Sequence, residues 1–200
     1  GLIRNYAYVL KKHLSLDDER SQTSIMAIEN SVDRASSIIN NLLNFSRISG
    51  EGQVRTDMKE FLHDILKLES KLLLQNNIRT EVVCQDISCT INQDSLKHIV
   101  LNLISNSIDA MPKGGILKIE CFLTEDKLHL TLSDTGTGIS KDDLDSIFHP
   151  FFTTKEPGKG TGLGLYIAYN EIQKFGGEIK VESEVGVGTT FKLILTIGDD

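Results

Sequence analysis

Apolar residues recur along this chain at two different periods, and the change of period falls near residue 50. In the first stretch the spacing is helical. "IRNYAYVLKKHL" sets Ile3, Tyr6, Val9, Leu10 and Leu14 on one face, at steps of three and four. A break follows at "SLDDER", where Asp17 or Asp18 can cap a second helix. That helix is long: Ile25, Ile28, Val32, Ala35, Ile39, Leu42, Leu43 and Phe45 make nearly a coiled-coil seam. Two antiparallel helices cannot bury apolar stripes on both elements unless something covers them. A second copy of the hairpin, giving a four-helix bundle in a dimer, is the simplest cover. The alternative packs the hairpin against the rest of its own chain.

"SGEGQ" at 49–53 is small, polar and glycine-containing, and marks a boundary. Beyond it the periods mix. "MKEFLHDILKLESKLLLQNN" predicts a helix ended by Asn76 and Asn77, and "IRTEVVCQ" a strand. "QDSLKHIVLNLISNSIDAM" predicts a helix capped near Asp94 and stopped by Pro112. "GILKIECFLTEDKLHLTLSDTG" alternates as two strands around Glu125 and Asp126. "GLGLYIAYNEIQKFGG" is a helix with a glycine stop, and "EIKVESEVGVGTTFKLILTI" a last strand pair around a glycine turn. Strands and helices without regular βαβ alternation predict an α+β chain. A helical hairpin over 1–50 precedes an α/β sandwich over 55–200, in which a mixed sheet carries helices on one face.

Composition narrows the classes. With 200 residues, 40% apolar content and three prolines, the chain is ordinary globular material. Its formal charge is −7 and no basic block stands out, which argues against nucleic acid as a partner. Cys84, Cys89 and Cys121 have no CxxC spacing, so reduced thiols in a cytoplasmic segment are expected rather than a disulfide framework or zinc site. No apolar stretch approaches the roughly 20 residues that span a bilayer, so this segment is expected to make no membrane contact.

Candidate chemistry concentrates in four places. "GKGTGLGL" at 158–165 invites two phosphate-binding readings, and both fail. A GxGxxG starting at Gly158 would need glycine where Leu163 stands, and a P-loop would need Ser or Thr where Gly160 follows Lys159. The run still leads into a helix N-terminus, where unpaired N–H groups favour anions, with Lys155 and Lys159 beside it. On the helix before Pro112, Asn102, Asn106 and Asp109 share one stripe. An asparagine offers a magnesium ion among phosphates a neutral carbonyl oxygen. "LTLSDTGTGI" ends a strand on Asp134, whose carboxylate can accept from the exocyclic amine of a base, with Gly136 and Gly138 leaving room for the ring. "IFHPFFTTK" sets three phenylalanines beside the glycine run, as a hydrophobic hinge for a lid.

Together these blocks resemble the ATP-binding domain of sensor histidine kinases, in the superfamily shared with gyrase B, Hsp90 and MutL. "NLISNSIDA" looks like the N box, "DTGTG" the first glycine box, "FHPFFTTK" the F box and "GKGTGLGL" the second glycine box. "GGEIKVESEVGVGTTFKLIL" is similar to the last strands, with Thr190 at the family's threonine. The resemblance implies ATP or ADP with magnesium as cofactors and Asn106 as the magnesium ligand. It implies that Asp134 recognises adenine, with Gly136 and Gly138 beside the base. Asn102 and Asp109 would line the site, and Lys113 would reach a phosphate. Lys155 and Gly160, Thr161, Gly162, Leu163 and Gly164 would belong to the lid. Many ATPases of the superfamily carry a glutamate base where this chain has Asn102, which suits a kinase better than a hydrolase.

The hairpin is similar to the family's dimerisation and phosphoacceptor region, with "LLNFSR" closing its second helix. The phosphoacceptor His-Glu motif is absent, and placing Gly1 at its histidine would leave the hairpin too short. The acceptor is therefore expected upstream of Gly1, and this segment is expected not to autophosphorylate. His13, His63, His98, His129 and His149 are not expected to be catalytic. The resemblance implies a homodimer that passes a phosphoryl group from ATP to histidine and on to a response-regulator aspartate. Two rival readings are a hydrolysing ATPase of the superfamily and a non-enzymatic helical module with a vestigial nucleotide site.

Overall fold

A computed structural model describes residues 52–124, 126–156 and 160–197. Of the segment before them it describes residues 3, 8–10, 21–29, 31–32, 35–36 and 39, all helical. Among these Ile25 is buried, whereas Ile3, Val9, Leu10, Ile28 and Ile39 are exposed. The rest of the expected hairpin, and the boundary at 49–51, lie outside the described residues.

From residue 54 onward the chain builds one layer of strands and one of helices. Strand β1 (Val54–Asp57) pairs antiparallel with β3 (Ser88–Ile91) as a small two-stranded sheet. The main sheet has the order β2-β4-β5-β7-β6, from β2 (Ile78–Cys84), β4 (Gly115–Thr124), β5 (Lys127–Asp134), β6 (Glu178–Glu184) and β7 (Gly188–Thr196). Only β2 and β4 run parallel; the other neighbours are antiparallel, so the sheet is mixed as expected. The short strands β1 and β3, four residues each, escaped the sequence reading because neither shows a long alternation.

Three helices of more than ten residues and one single turn accompany the strands: α1 (Met58–Gln75), α2 (Gln93–Ala110), α3 (Lys141–Leu144) and α4 (Gly164–Lys174). The carboxylate of Asp57 accepts the Glu60 N–H at 3.0 Å and starts α1. The cap of α2 is Asn92, which accepts the Ser95 N–H at 2.9 Å, so Asp94 falls inside the first turn rather than capping it. There its charge still favours the positive end of the helix. Asn77, at φ 53, turns the chain from α1 into β2.

Strand alternation separates the two faces of the sheet. Leu117, Ile119 and Cys121 of β4, Leu128, Leu130 and Leu132 of β5, and Phe191, Leu193 and Leu195 of β7 all point to the helices and are buried. Against them α2 sets Leu96, Ile99, Val100, Leu103, Ile104 and Ile108, the three-and-four stripe of an amphipathic helix. The other face carries cross-strand and same-strand ion pairs, such as Lys118 with Glu120 at 2.8 Å, and a stack of Phe122 on His129 with ring centres 4.7 Å apart. Among the described residues from 54 onward, helices therefore cover one face.

Candidate functional site

The inward row of β5 runs Leu128, Leu130, Leu132 and then Asp134. Alternation thus delivers a carboxylate to the end of the core, and the structure keeps it 7% exposed. Its Oδ1 accepts the Gly136 N–H at 2.9 Å and the Thr189 N–H at 3.3 Å. Its Oδ2 accepts the Ser107 hydroxyl at 3.1 Å. Burial pushes the Asp134 carboxyl above its ordinary range, and these three donors pull it back in part. No cation neutralises it among the described residues. A buried carboxylate without a counter-ion is costly, and such groups cluster at functional sites.

Above Asp134 opens a cavity of about 600 Å³ between α2, α4 and the segment joining α3 to α4. That size suits a nucleotide-sized ligand. Its apolar lining includes Ile139, Ile147, Phe152 and Phe191, which with Asp134 suit a flat ring with one polar edge. Its polar lining includes Asn102, Asn106, Asp109, Lys155 and Thr161. Helix α4 begins at Gly164 without any side-chain cap, so its first N–H groups border the cavity. The start of α4 sits directly on α2: a Cβ on Gly164 would lie 3.2 Å from Asn102 Oδ1. Lys155 pairs with Asp109 across the cavity mouth, both side chains being partly exposed.

The turn below and the turn above Asp134 each need a glycine. Gly188 has φ +141, and a Cβ there would fall 1.9 Å from the Asp134 carbonyl oxygen. Gly162 has φ +67, and a Cβ there would strike the Phe151 backbone at 2.3 Å. The Phe151 N–H donates to the Gly162 carbonyl at 2.9 Å, tying the phenylalanine segment to the glycine run.

Ten of the expected residues line this one cavity: Asn102, Asn106, Asp109, Asp134, Gly138, Lys155, Gly160, Thr161, Gly162 and Gly164. Four do not. Lys113 lies exposed in the turn after α2, and Lys155 is the lysine that lines the cavity. Gly136 lies beneath the floor, where its N–H fixes the carboxylate. Leu163 is a core residue, 2% exposed. Thr190 is displaced by one position: it faces the open side of the sheet and bonds Ser133 Oγ at 3.0 Å. Its neighbour Thr189 faces the cavity and supplies the N–H to Asp134. Phe148 and Phe152 pack on the core, whereas Phe151 is 61% exposed at φ 69. Pro157, Gly158 and Lys159 lie outside the described residues. None of His63, His98, His129 or His149 lines the cavity.

Ser107 and Thr189 escaped the sequence reading, although both left a signal. Ser107 continues the apolar stripe of α2 (Val100, Leu103, Ile104), so a hydroxyl stands in a core position. Thr189 precedes Phe191, Leu193 and Leu195 at steps of two, which sets its side of the sheet.

Comparison with known proteins identifies the family and the fold. A family model described as histidine kinase-, DNA gyrase B-, and HSP90-like ATPase matches residues 91–198. Sensor kinase CckA of Brucella abortus (strain 2308) is 36% identical over 211 residues, covering 94% of this chain and 22% of its own length. The solved structure of full-length ShkA in complex with AMPPNP matches with a TM-score of 0.75 at 21% identity, over 99% of this chain and 43% of that one. Histidine kinase ThkA, solved in complex with response regulator protein TrrA, matches with a TM-score of 0.73 at 24% identity, over 98% and 57%. The chain spans from 22% to 38% of the length of the first curated relatives it matches.

Proposed function

This chain belongs to the histidine kinase-, DNA gyrase B- and HSP90-like ATPase family, and from that premise we propose that it is the ATP-binding kinase core of a sensor histidine kinase. The observation that carries the reading is Asp134. It is a buried carboxylate with three neutral donors and no cation, at the floor of a cavity bordered by the bare N-terminus of α4. Its free acceptor position suits the exocyclic amine of adenine, and the apolar side chains around it suit the ring. The amides at the start of α4 and the Lys155 ammonium suit the phosphates.

Asn106 lies on the cavity side of α2, where its carbonyl oxygen would hold magnesium without adding negative charge. Magnesium-bound ATP would supply the phosphoryl group, with the cation spreading the charge that develops on it. In the whole protein the acceptor is a histidine on the dimerisation helix, and the group passes on to an aspartate of a response regulator. The likeness to kinases, and the response regulator held by ThkA, support this assignment of partners. Residues 1–50 form the dimerisation hairpin and 55–200 the catalytic domain. The exposure of Ile3, Val9, Leu10, Ile28 and Ile39 in one copy supports their burial against a second. Asn102, where a hydrolysing relative would want a carboxylate base, favours the kinase over the ATPase reading.

Calorimetric titration with ADP and with GDP tests the site. ADP binds, and binding strengthens with magnesium; GDP, which turns a carbonyl toward the carboxylate, does not bind measurably. Equal affinity for both, or none for ADP, overturns the reading.

A further inference from the structure

An ionised carboxylate offers about four acceptor positions, two on each oxygen. At Asp134 three are taken by the protein. Oδ1 receives the N–H groups of Gly136 and Thr189, at 2.9 and 3.3 Å, and Oδ2 receives the Ser107 hydroxyl at 3.1 Å. The two backbone donors come from the turn after β5 and from β7, and both approach the same oxygen. By themselves they leave the other oxygen free to rotate out of line or to take a proton. Among the described residues only the Ser107 hydroxyl is hydrogen-bonded to Oδ2, and it is placed there by the buried face of α2, with the residue 2% exposed. Ser107 does not line the cavity itself.

We propose that Ser107 is a positioning residue for base recognition: its hydroxyl holds Oδ2 of Asp134 so that the one remaining acceptor position faces the nucleotide. The inference rests on the nucleotide-site reading above and adds a residue that acts through another. The hydroxyl also selects the charged form. A serine that donates to a carboxylate stabilises the anion, whereas burial favours the neutral acid, which could not accept at the protonated position. The groups touching Asp134 from α2, β7 and the following turn are Ser107, Thr189 and Gly136, none of which is ionisable. The charged side chains lining the same cavity, Asp109 and Lys155, are paired with each other. With no cation to fix its charge, Asp134 depends on its three donors. Ser107 is the only one of them that is a side chain and can be deleted without touching the backbone.

The test compares the wild-type chain with Ser107→Ala and Ser107→Thr, using two readouts. The first is the carboxyl carbon resonance of Asp134 against pH in the nucleotide-free chain. The second is ADP affinity without magnesium, over the same pH range. Ser107→Ala moves the Asp134 titration to higher pH and weakens ADP binding roughly tenfold at neutral pH, the scale of one hydrogen bond to a charged group. The loss deepens as pH falls, because the variant loses its anion first. Ser107→Thr, which keeps the hydroxyl, restores both. A helix interior accepts alanine well, so the variant folds. An unmoved titration in Ser107→Ala overturns the proposal. So does a moved titration with unchanged ADP affinity. If the wild-type chain itself does not bind ADP, the nucleotide-site reading falls instead, while the carbon resonance still reports whether Ser107 governs the Asp134 anion.

Discussion

Two parts of the cavity solve recognition in opposite ways. At the floor, Asp134 is buried and held by donors from three elements, inside a ring of core side chains. At the mouth, Lys155 and Asp109 face each other with side chains 34% and 48% exposed, and the start of α4, which no side chain caps, borders the same cavity. The floor therefore offers one fixed acceptor in a place where a wrong partner leaves a polar group unpaired, and that gives selectivity. The mouth offers positive potential from amides and a solvated lysine, which attracts any phosphate and selects little. On the proposed reading the chain would divide its work: the part built from core would decide which base enters, and the part built from a turn and a helix start would hold what is attached to it.

Replacing the floor carboxylate is the largest way to break this contrast. Asp134→Asn keeps an oxygen for the Gly136 and Thr189 amides but turns an NH2 group toward the adenine amine. ADP affinity falls by at least about a hundredfold, measured by calorimetry. Stability moves the other way. The folded-state carboxyl titrates above the ordinary 3.8, so its stabilising contribution is complete below that value and lost as pH rises through the raised one. At neutral pH the wild type carries a buried charge that the asparagine removes. Asp134→Asn therefore melts no lower than wild type at pH 7, and its advantage disappears in acid. ADP binding by the wild type needs the anion, so it weakens as pH falls through the same window. A variant that loses binding because it unfolds would break the comparison.

The polar lining on α2 gives a smaller effect. Asn106 lines the cavity beside the start of α4, as Asn102 does. Asn106→Ala removes the neutral oxygen proposed for magnesium. Affinity for magnesium-bound ATP drops about tenfold, the scale of a lost group at a metal site, while magnesium-free ADP binds as before. If both fall together, Asn106 supports the fold of the site rather than the cation.

The contrast also explains which parts of the site were legible in the sequence. Residues whose chemistry departs from the local period stand out: Asp134 at the end of an apolar alternation, Asn102 and Asn106 on the polar edge of an apolar helix. The mixed sheet and its helix-covered face follow from the same periods. What stayed hidden depends on phase or on partners distant along the chain. Thr189 and Thr190 are chemically identical, and only the alternation counted back from Phe191 decides which one faces inward. Gly136 looked like room for a ring, yet it serves by its N–H, a role that appears only once the turn is closed. Ser107 stood out only as a hydroxyl on the apolar stripe of α2, and its partner became visible when β5 brought a carboxylate within 3.1 Å of it. Lys113 and Lys155 are both lysines near phosphate-like segments, and the return of the chain after α3 places the second one at the mouth.

The smallest expected effect belongs to Lys155, and it sharpens the comparison because it separates attraction from selection. Its pair with Asp109 is solvated on both sides, and such pairs contribute at most about 1 kcal/mol to stability. Lys155→Met keeps most of the aliphatic stem and removes the charge, so the melting temperature hardly changes. What does change is the electrostatic pull on phosphate, together with release of the Asp109 carboxylate, which then repels it. ATP affinity falls only a few-fold at physiological ionic strength, since a half-exposed charge is screened within roughly 8 Å. The deficit grows in low salt and shrinks in high salt. Adenosine, which has no phosphate, binds the variant and the wild type alike, and the preference for ADP over GDP is kept. If Lys155→Met instead lowered adenosine binding or relaxed base selectivity, the mouth would be shaping the floor, and the division of work between the two would not hold.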